Sequence, residues 1–189
     1  MLAGVNTLPR ITALLLGCLL VAAAPGVRAR DRPVIEVRQD KDTFHVHATL
    51  HAPVPPSVAW EVLTDFEHME RFIPNIEASR IVAREGQRLV IAQRGVARFG
   101  LLSIGFQSER EVTLAPPSEI RSVQLRGSLK RMVSVTRFVP RGQGTDLLYS
   151  VEAEPGPLFP ATLTQRFLVH EIEEQFGAIV DEMERRARR

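Results

Sequence analysis

LTDFEHMERFIPN, residues 63–75, sets three acids, a histidine and an arginine among Leu, Phe, Met and Ile. Such a mixture reads either as an acid–base cluster or as the polar side of a folded corner, and the flanking sequence decides between them. Upstream, Pro53, Pro55 and Pro56 end an alternating run, and Pro56 stands where the first turn of a helix tolerates a missing amide donor. Ala59, Val62, Leu63 and Phe66 follow at helical spacing. Asp65 is positioned to cap a second short turn running to Phe72, which Pro74 stops. Phe66, Met69 and Phe72 then pack, while Glu67, His68, Glu70 and Arg71 take an exposed face. The stretch is read as a two-helix entrance to a sheet, with a catalytic Asp65 as the alternative.

Outward from this corner, residues 43–50 alternate, with Phe44, Val46, Ala48 and Leu50 on one face and His45, His47 and Thr49 on the other, the period of a half-buried strand. His45 and His47, with His51 beyond them, form a solvent-facing row. A His-x-His pair can also chelate zinc, but nothing in the sequence fixes a third ligand, so no metal site is assigned. On the other side, Glu85-Gly86-Gln87 turns residues 76–84 into residues 89–96 as a hairpin. Runs at 104–114, 120–126, 132–139 and 147–154 follow, each closed by a Pro- or Gly-bearing turn or by Pro155. About seven strands joined by short loops predict an antiparallel meander. Residues 160–186 contain no proline after Pro160, and Val169, Ile172, Phe176, Ile179 and Met183 recur at spacings of three and four, which predicts one long helix. Glu171, Glu173, Glu174, Asp181 and Glu184 populate its other sides, and Gly177 interrupts it at a propensity cost of about 1 kcal/mol.

Residues 1–29 read as a cleaved signal peptide: Arg10 gives a basic flank, residues 11–24 a short apolar run, and Val27-Arg28-Ala29 a small-residue cleavage site. The alternative is a lipoprotein box ending at Cys18, but the apolar run continues past that residue. The expected protein is therefore periplasmic or secreted. Cys18 is the only cysteine, so the mature domain, residues 30–189, carries no disulfide and must be held by a core. The chain has 24 basic and 22 acidic residues, and loss of Arg10 and Arg28 makes the two counts equal. A near-neutral domain has no general electrostatic drive toward nucleic acid. The terminal Arg185-Arg186-Ala187-Arg188-Arg189 suits the negative end of a helix dipole, and can also make transient contact with an anionic membrane surface.

The motifs WEVLTDF (60–66), FIPN (72–75), GSLKRM (127–132) and TDLLY (145–149), in this order, resemble the polyketide cyclase/dehydrase branch of the START-like superfamily, which includes the coenzyme Q-binding proteins and ribosome-associated toxin relatives. The resemblance spans nearly the whole mature chain. It implies an α+β helix-grip fold, a curved antiparallel sheet with two short helices after the first strand and a long C-terminal helix across the concave face. It also implies a cavity between that helix and the sheet, where members of the superfamily hold lipids, isoprenoids, polyketides or other apolar molecules. An export signal departs from the family's usual setting and argues against ribosomal or mitochondrial roles.

On this fold, parity along residues 104–114 directs Phe106, Ser108 and Arg110 inward, and Tyr149 falls on the corresponding face of the last strand. A buried Arg must be paired or meet an anion, which makes Arg110 the sharpest ligand-facing candidate unless a bulge reverses the parity or the side chain snorkels from the rim. Apolar lining is expected from Phe66, Phe72, Ile91, Val123 and Leu125, and from Val169, Ile172 and Phe176 on the helix. His170 borders the helix stripe. No Ser/His/Asp set, carboxylate pair or Gly-rich phosphate loop appears, so no catalytic residue and no cofactor is assigned. The expected function is the holding of a hydrophobic small molecule or lipid. An enzyme of the cyclase, dehydratase or hydrolase type needs Arg110, Tyr149 and an acid to converge, and an interaction module needs Phe66, Phe106, Phe167 and Phe176 to fill the space.

Overall fold

The computed structural model describes residues 32–157 and 165–189. The expected signal peptide, Cys18 and the first residues of the expected helix, 160–164, lie outside the described residues. The elements run β1 (Val34–Asp40), β2 (Thr43–Ala52), α1 (Pro56–Thr64), a 3-10 helix (Phe66–Arg71), β3 (Ile76–Glu85), β4 (Arg88–Phe99), β5 (Leu102–Ala115), β6 (Glu119–Gly127), β7 (Leu129–Arg141), β8 (Gly144–Pro155) and α2 (Gln165–Ala187). One antiparallel sheet has the order β1-β2-β8-β7-β6-β5-β4-β3, so β2 and β8 close the meander and α2 packs over it. Among the described residues, no helix is long and apolar enough to cross a membrane.

The sheet has eight strands, not the seven expected. The additional one, β1, pairs only with β2, and its two-residue turn through Lys41 and Asp42 carries neither Gly nor Pro. Lys41 supplies the left-handed residue of that turn, with φ 51°. Only Ile35 and Val37 of β1 are half-buried, and Val34 is exposed, so the apolar signal of this edge strand is weak. Elsewhere the expected pattern appears as packing. Phe44, Val46, Ala48 and Leu50 of β2 are buried, and Gly86 turns β3 into β4 with φ +56°.

The main core joins Leu50, Val54, Val62, Phe66, Ile91, Val112 and Leu147 to Ile179, Val180 and Met183 of α2. A smaller cluster of Ala97, Ile104 and Phe167 lies under the start of that helix. The helix runs through Gly177 without a break. Its buried face differs from the apolar stripe expected: Phe167, Glu171, Ile179, Val180, Glu182 and Met183 are buried, so Glu171 points inward rather than to solvent.

Asp65 heads the 3-10 helix but makes no side-chain cap. Its Oδ2 instead accepts from Arg186 Nη2 at 2.6 Å, and its Oδ1 meets His68 Nδ1 at 2.6 Å. A guanidinium bond is charge-assisted and outcompetes a neutral backbone donor, so the cap gives way to a tertiary contact. Arg186 also donates to Glu182 and Glu61, and its guanidinium stands 5.7 Å from the centre of the Phe72 ring. The acids, histidine and aromatic ring of residues 63–75 thus help clasp the C-terminal end of α2.

Candidate functional site

A cavity of about 260 Å³ lies between the sheet and the N-terminal half of α2. Ile76, Ala97, Ile104, Phe106, Leu129, Met132 and Phe167 supply apolar wall, while Asn75, Gln93, Ser108, Arg110, Gln124, Tyr149, Glu171 and Gln175 supply polar atoms. Phe167, Glu171 and Gln175 are four residues apart, so one face of α2 covers the hollow.

The polar residues are mounted from several strands. Gln93, buried on β4, accepts from Arg110 Nη2 at 2.5 Å through Oε1, and its Nε2 donates to Ser79 Oγ at 2.9 Å and to Met69 Sδ at 3.2 Å. Ser79 in turn donates to the Phe66 carbonyl, tying the guanidinium to the corner at residue 66. Arg110 Nε and Ser108 Oγ are inaccessible and have no partner. No carboxylate pairs with Arg110 among the described residues. Burial lowers the Arg110 pKa, opposed by its electrostatic coupling to the Tyr149 phenol, yet a guanidinium remains cationic throughout the physiological range. Burial likewise pushes the Tyr149 phenol upward, opposed by Arg110 and by a hydrogen bond with Ser134, so Tyr149 stays neutral. Its ring packs edge-on against Phe176, with centroids 5.4 Å apart.

Across the cavity, Glu171 Oε2 accepts from Asn75 Nδ2 at 2.7 Å, while Glu171 Oε1 and Asn75 Oδ1 are buried without a hydrogen-bond partner. Burial raises the Glu171 pKa and the neighbouring Glu174 adds to the rise, against the lowering effects of Asn75, His170 and a backbone hydrogen bond from Arg98. The floor is fixed by two close approaches. Gly127 has φ +154°, and a Cβ there would lie 2.4 Å from the Gln107 carbonyl. Gln107 and Ser128 exchange bonds, Ser128 N to Gln107 O at 2.8 Å and Gln107 N to Ser128 Oγ at 2.9 Å.

Of the residues expected to line a cavity, Phe106, Ser108, Arg110 and Tyr149 do so. Phe66 and Ile91 belong to the main core, and Phe176 packs against it behind Tyr149. Phe72 lies at the far end of α2 beside Arg186, and Val169 and Ile172 are half-buried on the helix without bounding the hollow. Val123 and Leu125 are on the wrong face. The turn after β5 pairs Leu114 with Ile120 and Val112 with Ser122, so Ile120, Ser122 and Gln124 point inward and Leu125 is left 54% exposed. Choosing β6 positions by hydrophobicity misses Gln124, and assigning the helix acids to solvent misses Glu171. The four-residue spacing of Phe167, Glu171 and Gln175 is the signal that could have found the latter.

The histidines of β2 are apart from this site. His45 Nδ1 lies 3.9 Å from Glu152, and His51 Nδ1 meets Asp146 Oδ1 at 2.7 Å. Among the described residues, three metal-capable side chains approach one another only at His170, Glu171 and Glu174, where Glu171 is already bonded to Asn75.

Residues 43–184 match the family model described as polyketide cyclase / dehydrase and lipid transport. The chain belongs to this family. Its fold recurs in a STAR-related lipid transfer protein fragment from Xanthomonas axonopodis (TM-score 0.68, 15% identity, 82% of this chain and 97% of that one). It recurs also in a START superfamily protein from Mycobacterium smegmatis (TM-score 0.64, 16% identity, 75% and 97%). A third similar structure is the Zhui aromatase/cyclase from Streptomyces sp. R1128 (TM-score 0.60, 19% identity, 76% and 95%). No curated protein sequence matches the chain. The family's description names polyketide cyclases, dehydrases and lipid transport, and at these identities the structural likeness establishes the helix-grip fold alone.

Proposed function

We propose that this family member is an exported binding protein that holds one compact apolar molecule in the cavity, with an oxygen-bearing end against Arg110. The observation that carries this reading is a hollow with apolar walls into which a cation without a carboxylate partner projects. A buried charge needs a partner, and an anionic or carbonyl oxygen supplies it. The volume, about 260 Å³, is just under the ~300 Å³ at which pockets for drug-sized ligands begin. It suits a fused ring or a single short chain better than a whole diacyl lipid. Export rests on the leader-like residues 1–29.

Holding is favoured over turnover because the polar groups are engaged separately. Arg110 donates to Gln93 and Glu171 accepts from Asn75, so the guanidinium and the acid are engaged apart from each other among the described residues. A filled interaction module is disfavoured because Phe106 and Phe167 form walls of the hollow rather than closing it. Native mass spectrometry of the mature chain, followed by organic extraction, tests the proposal. The expected result is a retained apolar molecule bearing a carboxylate or carbonyl. An empty protein that binds no apolar acid would remove the reading.

A further inference from the structure

Arg110 accounts for only one polar end of the cavity. Asn75 and Glu171, only 4% and 6% exposed, form a second one that contributes nothing to holding Arg110. We propose that Asn75 and Glu171 are a specificity subsite for an uncharged hydroxyl or amide group on the ligand whose acidic or carbonyl end meets Arg110. This rests on the ligand-holding reading above and names the class of molecule held.

The argument begins from unmatched atoms. Asn75 Nδ2 bonds Glu171 Oε2 and the Arg98 backbone adds a contact to the carboxyl, yet Asn75 Oδ1 and Glu171 Oε1 are left buried without a hydrogen-bond partner. Two orphaned polar atoms on bonded neighbours, at the wall of a hollow, are what a polar ligand group would satisfy. The mounting is rigid on both sides. Asn75 O accepts from Val96 N at 3.0 Å, and Gly95 lies so close that a Cβ there would stand 1.9 Å from that carbonyl. Glu171 is carried on α2, opposite. Two residues 96 positions apart in sequence are thereby held at bonding distance before any ligand arrives.

The chemistry of the pair selects a hydroxyl or amide. Asn75 Oδ1 is an acceptor in any state and requires a donor. Glu171 Oε1 is a donor when protonated, the state that burial favours, and an acceptor when ionised. A primary amide can serve both atoms in either state, and a hydroxyl serves both when Glu171 is protonated, donating to Asn75 Oδ1 and accepting from the acid. A second carboxylate would offer no donor to the Asn75 oxygen in either state of Glu171, so a molecule acidic at one end is directed with that end to Arg110. A hydrocarbon end would leave both orphans unpaired.

The test compares affinities on the full mature chain by titration calorimetry, using naphthoic acid and its set of hydroxy isomers, with decanoic and ω-hydroxydecanoic acid as flexible counterparts. At least one hydroxy acid is expected to bind about tenfold more tightly than its parent, the value of one well-made buried hydrogen bond. In Glu171→Leu that ratio should fall to about one, whereas Glu171→Gln, which keeps a donor and an acceptor, should retain a preference. Should the leucine variant not fold, the side-chain amide resonance of Asn75 in nitrogen-labelled wild-type protein gives an independent reading, expected to move with the hydroxy acid and not with the parent. Parent acids that bind as well as every hydroxy counterpart, or an unmoved Asn75 amide, would overturn the subsite while leaving the cavity's function standing. If neither parent nor hydroxy acids bind, both proposals fall.

Discussion

The C-terminal half of α2 buries Ile179, Val180 and Met183 in the main core and pairs Glu182 with Arg185 and Arg186, whereas the N-terminal half, facing the same sheet, carries Phe167, Glu171 and Gln175 over a hollow. Buried carboxylates occur in both halves. Glu182 is met by two guanidinium groups, and its pKa falls, with the Arg185 hydrogen bond as the main cause. Glu171 is met by the Asn75 side-chain amide and the Arg98 backbone, with no guanidinium, and its pKa rises through burial. The difference teaches that polar satisfaction, more than hydrophobicity, separates the end of the helix that holds the fold from the end that borders the hollow.

The contrast breaks first on core substitutions. Met183 is fully buried, and Met183→Ala should cost about 2–5 kcal/mol in urea unfolding. Phe167, which packs in the smaller cluster with Ala97 and Ile104 and borders the hollow, should lose clearly less as Phe167→Ala. Equal losses would mean that the two halves are packed alike.

A smaller effect, with opposite signs at the two ends, is expected from pH. Burial alone would raise the Asp65 pKa, but its bonds from Arg186 and His68 outweigh this and lower it, as the arginines lower Glu182. Acids with depressed folded values stabilise above the unfolded carboxylate range, near pH ~4, and that contribution is lost as pH falls through the folded values. Arg186→Ala should cost about 2 kcal/mol near neutrality and shrink the acid-induced loss. Glu171, with a raised folded value, contributes stability that is full below about pH 4 and declines as pH rises through that value. Glu171→Gln should therefore flatten the alkaline side, and unfolding curves collected across pH check both signs. An unchanged profile in either variant would contradict the assigned environments.

The smallest effect sharpens the boundary of the site. Leu125→Ser on the outer face of β6 should alter stability by no more than about 0.5 kcal/mol and leave the affinity for apolar acids unchanged. A marked loss of binding would restore Leu125 to the cavity.

Much of this architecture is legible in the sequence. The alternation of Phe44, Val46, Ala48 and Leu50, the Gly86 turn, and the order of motifs from WEVLTDF to TDLLY give the sheet, its hairpins and the helix-grip arrangement. Parity along β5 also brings Phe106, Ser108 and Arg110 to one side, as the cavity has them. Legibility fails where the deciding contact is distant or the local signal is thin. β1 has one neighbouring strand and few apolar residues. Asp65 gives up a local cap for a guanidinium 121 residues away. On β6 the apolar Val123 and Leu125 take the outer face because pairing across the preceding turn, not hydrophobicity, sets which residues face in.

The sequence by itself determined the elements and their order, because the period of two in a strand and the spacing of three and four in a helix are properties of neighbouring residues and the backbone between them. Only the tertiary structure decided which polar groups would be enclosed and which of those would lack a partner. Desolvation and hydrogen-bond satisfaction depend on atoms brought together from remote parts of the chain, as Asn75 and Glu171 are across 96 positions.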